Sequence, residues 1–480
     1  MQITVLPMGR CITVSQPVSL ADILRSEKLY IDAPCGGMGK CGKCTVLIDG
    51  TPALACQTIV DRDMTVTLPD HAVIHVMTDG IKAIASHTSQ DGHLIALDIG
   101  TTTVAAFLLD KNGTELGCAS CLNPQTAFGA DVISRIQYAL KNGIEPLCRC
   151  IRDCVAELIS SLCKNADIAP SGISTVSMVG NPAMQQLFLG ISLENLAKIP
   201  FSPVLKEAKT VPAVEYLPPC TNASILIVPN IAGFIGADTV AGILATGMDK
   251  SDEIALLVDI GTNGEMVLGS RHRLIACSTA AGPALEGANI QCGMRGQNGA
   301  IDHVWVEDTK LHYSVISNIE PTGICGSGLI DAIAAALELG LLNERGRILN
   351  ESHTIPLSST VYLTQDDIRQ VQTAKGAIAA GIALMIKELG ISSDEISHVY
   401  LAGAFGSYMN PRSACRMGLL PPELEHKITA VGNAAGSGAK LLAQDRDLLT
   451  YTQALTGRIA HLELASHPDF RRCFAKHMRF

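Results

Sequence analysis

Leu94-Ile-Ala-Leu-Asp98-Ile-Gly100-Thr-Thr-Thr-Val104 and Ala255-Leu-Leu-Val-Asp259-Ile-Gly261-Thr-Asn-Gly-Glu265 are two renderings of one pattern. Each is an apolar run of strand length ending in Asp-Ile-Gly-Thr, with a second strand after it. Two copies this far apart imply an internal domain duplication, not a short solenoid repeat. The turn has the chemistry of a phosphate site. Gly100 has no Cβ, so phosphate oxygens can approach the backbone, and Thr101, Thr102 and Thr103 add hydroxyls and amides. A carboxylate that close to phosphate needs a metal between them, so Asp98 is a candidate for holding Mg2+, directly or through water. Asp259, Gly261, Thr262 and Asn263 repeat the arrangement from the facing half, so two hairpins can clamp a β,γ-phosphate pair. A bare hairpin turn would explain one copy as well as a ligand site does; the second copy favours the clamp. There is no Walker A sequence, and no G-x-G-x-x-G after the first strand, so P-loop and NAD-binding readings are unsupported.

Outward from these hairpins, the chain alternates strands and helices from His93 onward. The first cycle has strands at 94–98, 104–109 and 175–179 and helices at 131–140 and 148–164. The second has strands at 254–259 and 265–268, helices at 328–340 and 374–389, and a last clear strand at 399–401. Asp131 and Arg135 stand one helical turn apart and read either as a surface ion pair or as a group that positions water or Mg2+. Residues 1–69 differ: short strands at 3–6, 11–14, 45–48, 53–56 and 65–68, a helix at 20–28 opened by Ser19, and an Asp49-Gly50 hairpin signal. Residues 70–92 read as a connector with some helix.

Within the N-terminal unit, Ala33-Pro-Cys35-Gly-Gly-Met-Gly-Lys-Cys41-Gly-Lys-Cys44 is the most specific motif in the chain. Cys35, Cys41 and Cys44 are spaced C-x5-C-x2-C, and Cys56 follows on the strand returning from the hairpin. The intervening glycines let the backbone curl around an inorganic core, and four thiolates so arranged suit a 2Fe-2S cluster. Zinc, which usually takes two separated Cys pairs, fits this one-sided loop less well. Of the remaining cysteines, Cys148, Cys150 and Cys154 share one helix and read as packing residues, and Cys325 sits in a Gly-rich turn.

Composition narrows the partners. The 480 residues are 47% hydrophobic and 17% charged, enough apolar material for more than one core. A net charge of −10 and 4% aromatics argue against nucleic acid and anionic membranes. The N-terminus lacks the charged-then-apolar pattern of a signal peptide, no apolar run reaches membrane-spanning length, and 17 Cys suit a reducing compartment, so a cytoplasmic location is expected.

Three resemblances follow from these residues. Residues 1–69, with all four ligand positions present, look like a β-grasp 2Fe-2S ferredoxin domain. Tyr400-Leu-Ala-Gly403-Ala-Phe-Gly406-Ser resembles the adenosine motif of the acetate kinase, sugar kinase, heat-shock chaperone and actin superfamily. Gly282, Gly326 and Gly436 mark further glycine turns, some of which close helix–strand approach alone would explain. Over nearly the whole length the chain resembles the reductive activators of corrinoid proteins. That resemblance rests on the cluster loop, Gly180-Asn-Pro-Ala-Met184, the run from Pro229 to Asp238, Val258 to Glu265, Ala288 to Met294, and the Gly403 and Gly436 turns.

The resemblance implies an α+β ferredoxin domain at 1–69, a linker at 70–92, and a duplicated α/β RNase H-like ATPase core divided into halves at 93–250 and 251–480. It implies one 2Fe-2S cluster on Cys35, Cys41, Cys44 and Cys56, with ATP and Mg2+. The nucleotide would meet Gly100, Thr101, Thr102, Gly261, Thr262, Asn263, Gly282, Gly326, Gly403 and Gly406, with Asp98, Asp259 and Asp131 as catalytic candidates. The implied activity is ATP-dependent reduction of Co(II) to Co(I) in a corrinoid protein of a methyltransferase system, with an external low-potential electron donor and, by analogy, a homodimer. Competing readings are an activator of the 2-hydroxyacyl-CoA dehydratase or benzoyl-CoA reductase type, a small-molecule kinase with a regulatory cluster and Asp238 near the γ-phosphate, and an electron carrier that binds no nucleotide.

Overall fold

The computed structural model describes residues 1–27, 29, 31, 37, 39, 44–68, 78–81 and 92–480, apart from the side chain of Ala404. Cys35 and Cys41, and most of the expected 70–92 connector, lie outside the described residues.

The N-terminal sheet runs Arg10–Thr13, Gln2–Leu6, Met64–Thr67, Thr45–Ile48, Thr51–Leu54. Gln2–Leu6 pairs parallel with Met64–Thr67, and the other neighbours pair antiparallel. Alternation puts Ile3, Val5, Val46, Ile48, Met64 and Val66 on one buried face, against which the helix Leu20–Ser26 lays Leu20, Ile23 and Leu24. This is a β-grasp. The strand expected to end at Cys56 stops at Leu54 instead, because the chain turns there into a short 3-10 helix, Ala55–Gln57.

Two six-stranded sheets carry the rest. The first runs Glu115–Leu122, Thr103–Leu109, His93–Ile99, Ile173–Gly180, Ser224–Ile227, Lys209–Pro212. The second runs Arg273–Thr279, Gly264–Ser270, Ile254–Ile260, Ile396–Ala402, Ile428–Gly432, with Ile459–His461 added beside 273–279. In chain order, the five common strands lie 3-2-1-4-5 in both. The first three form an antiparallel meander, and the last two run parallel to strand one. The duplication read from the two hairpins is therefore a duplication of an RNase H-like sheet. Strands at 428–432 and 459–461 lie beyond the last strand expected from sequence; they are short, and Ile428–Gly432 has only Val431 fully buried, so neither shows a strong apolar run.

Each half has its own core, and a third joins them. Ala96, Phe107 and Val179 of the first sheet and Leu257, Val267 and Ala276 of the second belong to one buried cluster with the helices Ala237–Thr246 and Ala434–Gln444. These helices cross closely: a Cβ on Gly438 would lie 2.1 Å from the carbonyl oxygen of Ala241. Ser177 of the first sheet donates a 2.6 Å hydrogen bond to Ala439 O of the second half's helix. Among the described residues, no helix is long and apolar enough to cross a membrane.

Candidate functional site

The strands that lead into the two hairpin turns bring Asp98 and Asp259 close enough at the boundary between the halves for the charge of one to bear on the other. In the first, His93–Ile99 pairs with Thr103–Leu109, leaving Gly100–Thr102 as the turn. A buried polar brace holds that turn from behind. Asn123 donates from its backbone N–H to Thr102 O and from Nδ2 to Gly100 O, both at 2.8 Å. Arg135 Nη2 donates to Thr101 O at 2.5 Å, its Nε to Gly129 O at 2.9 Å and its Nη1 to Gln125 Oε1 at 3.2 Å. Asn181 Nδ2 reaches Thr101 Oγ1 at 2.9 Å. Arg135 is fully buried, and burial lowers its pKa to about 10, still a cation at neutral pH. The surface ion-pair reading of Asp131 and Arg135 is thus overturned. Asp131 is the N-cap of the helix Val132–Asn142, its carboxylate accepting from the Ser134 N–H at 2.7 Å. Its side chain serves the helix end and not the cleft, against the catalytic expectation.

In the second hairpin, Gly261 N–H bonds Asn263 O, and Thr262 O accepts from Gly282 N–H at 3.0 Å. Thr262 Oγ1 lies 3.4 Å from Glu286 Oε1. Gly403 begins the turn after the strand Ile396–Ala402 with φ +79°, and a Cβ there would sit 2.7 Å from Asp259 Oδ1. Here glycine is required both by the left-handed backbone and by the approach of the carboxylate. Gly282 faces open space. Gly326 and Gly406 have another explanation: their absent side chains leave room for Leu285 O and the Phe405 ring, and for Leu401. Protein packing accounts for those two glycines without a nucleotide.

Carboxylates dominate the cleft. Asp238, Asp259 and Glu265 line one small cavity with Thr239, Ala402 and Ala434. Burial raises Asp98 to about 7, with Asn433 opposing and Asp238 adding. Burial, then the charges of Asp238, Asp98 and Glu286, raises Asp259 to about 7. Asp238 rises to about 6 by burial, and Glu265 and Glu286 also rise chiefly by burial. Carboxylates that repel one another at the boundary between the two halves form a donor set of hard oxygens, which fits Mg2+ accompanying a nucleotide. Asn433 stands three residues before Gly436, which sequence marked only as a glycine turn. Its Nδ2 donates to Asp98 Oδ2 at 2.8 Å, while its Oδ1 caps the helix Ala434–Gln444, so one side chain ties the second half to the first hairpin.

Part of the connector reaches the same spot. Asp79 O accepts from the Asn433 N–H at 2.8 Å, and Gly80 forms a bridge with Gly432. A Cβ on Gly80 would lie 2.2 Å from Ser437 Oγ and 2.6 Å from Asn433 O.

In the N-terminal domain, Cys44 is buried and Cys56 half-buried, with their sulfurs 3.3 Å apart. Two thiolates at 2.3 Å on one tetrahedral metal stand roughly 3.8 Å apart, so a small adjustment suits both to one iron. Gly37 and Gly39 have positive φ and lie against Cys56 and Gln57, whose Nε2 donates to Gly37 O at 3.0 Å. Gly37 and Gly39 thus lie beside Cys56, the expected fourth ligand.

Comparison with known proteins agrees with this division of labour. Three family models match: the 2Fe-2S iron-sulfur cluster binding domain over residues 3–65, the RACo middle region over 94–251, and the C-terminal ASKHA domain of RACo over 253–480. The corrinoid activation enzyme RamQ of Eubacterium limosum is 30% identical over an alignment covering 98% of this chain and 97% of that protein. The Co(II) methylated amine-specific corrinoid protein reductase of Methanosarcina barkeri is 28% identical, covering 79% of this chain and 75% of that one. The solved structure of a reductive activator for a corrinoid, iron-sulfur protein superposes with a TM-score of 0.73 at 28% identity, covering all of this chain and 98% of the other. The chain belongs to the family of corrinoid activation enzymes, built from a 2Fe-2S ferredoxin domain and an ASKHA-type core.

Proposed function

We propose that this protein is an ATP-dependent reductive activator, passing one electron to the cobalt of a corrinoid methyl carrier and returning inactive Co(II) to Co(I). The observation that carries the reading is the joining, on one chain, of a four-cysteine ferredoxin domain to a doubled phosphate-hairpin core, matched over nearly its full length to a named corrinoid activation enzyme. A 2Fe-2S cluster on Cys35, Cys41, Cys44 and Cys56 would supply the one-electron chemistry. Co(I) forms at very low potential, so the transfer runs uphill, each ~59 mV of one-electron gap costing a factor of ten. Nucleotide binding between the halves offers the driving force through a change of conformation.

Within this reading the domains divide at 1–69, 70–92, 93–250 and 251–480. Gly100–Thr102 and Gly261–Asn263 hold the phosphates, and Asp98 and Asp259 hold Mg2+ between them. Asn433 keeps Asp98 in place, and Gly403 leaves room for Asp259. The working compartment is the cytoplasm, a reducing compartment that suits a chain with 17 Cys. The test is anaerobic: reduced protein is mixed with a Co(II) corrinoid protein from the same genome, and Co(I) absorbance is followed with and without Mg-ATP. Co(I) appearing only with ATP supports the proposal, whereas phosphorylation of a small molecule without Co(I) would replace it with the kinase reading.

A further inference from the structure

The helix Glu145–Asn165 was read as carrying three packing cysteines, and for two of them that holds. Cys148 and Cys150 are buried, and burial raises their thiols to about 11 and about 12. Cys154 differs. It is half-buried, and its sulfur meets that of Cys121, on the edge strand Glu115–Leu122, at 3.0 Å. Among the described residues the only other hydrogen-bonded pair of sulfurs is Cys44 and Cys56 of the cluster loop. A disulfide needs about 2.05 Å, roughly 1 Å nearer than the two sulfurs already stand.

We infer that Cys121 and Cys154 are a redox pair that closes to a disulfide when the protein meets a low-molecular-weight disulfide oxidant, and that closure slows nucleotide turnover. In the first step the Cys121 thiolate attacks one sulfur of the oxidant RSSR and expels RS−, which takes up a proton, leaving a mixed disulfide. In the second step Cys154 gives up its proton and attacks the Cys121 sulfur, expelling a second RS−. The protein loses two electrons and two protons, and RSSR becomes two RSH. The roles follow from the surroundings: the bond between the two sulfurs lowers the pKa of Cys121, while that same bond and burial raise Cys154.

The consequence for the nucleotide rests on the phosphate-site reading given above. Cys121 lies two residues before Asn123, which bonds Gly100 O and Thr102 O. The helix of Cys154 supplies Leu147 O to Gln125 Nε2 at 3.0 Å, and Gln125 in turn meets Arg135, the donor to Thr101 O. A Cys121–Cys154 bond therefore fastens together the two elements whose polar brace sets the first phosphate hairpin, removing the play that hairpin needs to close on and release nucleotide.

The test uses the cluster-loaded full chain under anaerobic conditions with glutathione disulfide as oxidant, followed by alkylation in denaturant and tryptic mapping. Cys121 falls in the peptide Asn112–Arg135 and Cys154 in Asp153–Lys164. The expected product joins these peptides two hydrogen masses below their sum, is absent from Cys121→Ser and Cys154→Ser, and persists in a Cys118→Ser, Cys163→Ser double variant. ATP turnover should fall at least about fivefold on oxidation, the lower end of site-to-site coupling, recover with dithiothreitol, and be unmoved in Cys121→Ser. Full alkylation of both cysteines after oxidation, a glutathione adduct on Cys121 that never closes, or a cross-linked protein with unchanged turnover overturns the inference. The cross-link is read whether or not a corrinoid protein is the partner, so its failure stays distinct from failure of the proposed function.

Discussion

Asp98 and Asp259 end equivalent strands of two equivalent sheets, yet their surroundings differ. Asp98 accepts a hydrogen bond from Asn433 across the boundary between the halves, and its turn is braced by Asn123, Arg135 and Asn181. Asp259 has no protein donor among the described residues and faces the charges of Asp238, Asp98 and Glu286. One carboxylate is held by a protein hydrogen bond, and the other meets chiefly like charge. The duplication preserved the backbone while the surroundings diverged: protein hydrogen bonds brace the first turn, and carboxylates crowd the second.

The sharpest way to break that comparison is to treat the two sides alike and look for opposite results. Asp259→Asn and Asn433→Ala should each cut ATP turnover about 100-fold or more, since both disturb preorganised electrostatics at the phosphates. Stability should separate them. Asp259→Asn relieves like-charge repulsion and should raise the denaturation midpoint of the nucleotide-free protein. Asn433→Ala removes a helix cap and leaves Asp98 unpaired, and should lower stability by about 1–3 kcal/mol. Equal shifts in urea denaturation would erase the distinction.

The brace is tested next. Arg135→Met strands Thr101 O, Gly129 O and Gln125 Oε1, at a cost of at least about 3 kcal/mol. It should weaken nucleotide binding, measured by calorimetry, while leaving the visible absorbance of the cluster intact.

The connector gives a smaller effect. Gly80→Val cannot keep its seat against Ser437 and Asn433, so about 1–3 kcal/mol is lost or the strap lifts. Lifting should loosen nucleotide affinity through Asn433 without changing the cluster spectrum. Unchanged affinity would mean that the Asp79–Gly80 contact is a tether only.

Smallest is the pH response. Asp98 and Asp259 titrate near 7 and Asp238 near 6 in the folded chain, above the unfolded value of about 3.9. The folded state therefore holds protons that the unfolded state has released, so their contribution is present at low pH and is lost as pH rises toward 7. A thermal midpoint of the nucleotide-free protein that falls over this range, with the fall reduced by Mg-ATP, is expected. A midpoint rising with pH would show that other groups govern the balance.

The duplicated sheet was legible because the Asp-Ile-Gly-Thr turns are local, and their apolar runs are long and fully buried. The ferredoxin unit was legible for the same reason, through a spacing that chemistry dictates. Asn433, Glu265 and the 79–81 strap were not read as parts of the site. Their importance arises from contacts between distant segments, and an asparagine that caps a helix looks the same in sequence whether or not its amide also holds a carboxylate. Asp131 and Arg135 show the converse. Their one-turn spacing suggested a surface ion pair, but tertiary structure buried the arginine entirely and gave the aspartate to a helix end. The strands at 428–432 and 459–461 escaped because short, half-exposed strands have no period to read.

The most direct measurement of the central claim is Co(I) formation from a Co(II) corrinoid protein of the same genome by the anaerobically reduced protein, with and without Mg-ATP. The account predicts Co(I) absorbance that appears with ATP and is lost in Asp259→Asn and in Cys44→Ser. Equal Co(I) yield without nucleotide, or none with it despite an intact cluster and measurable ATP turnover, would contradict it.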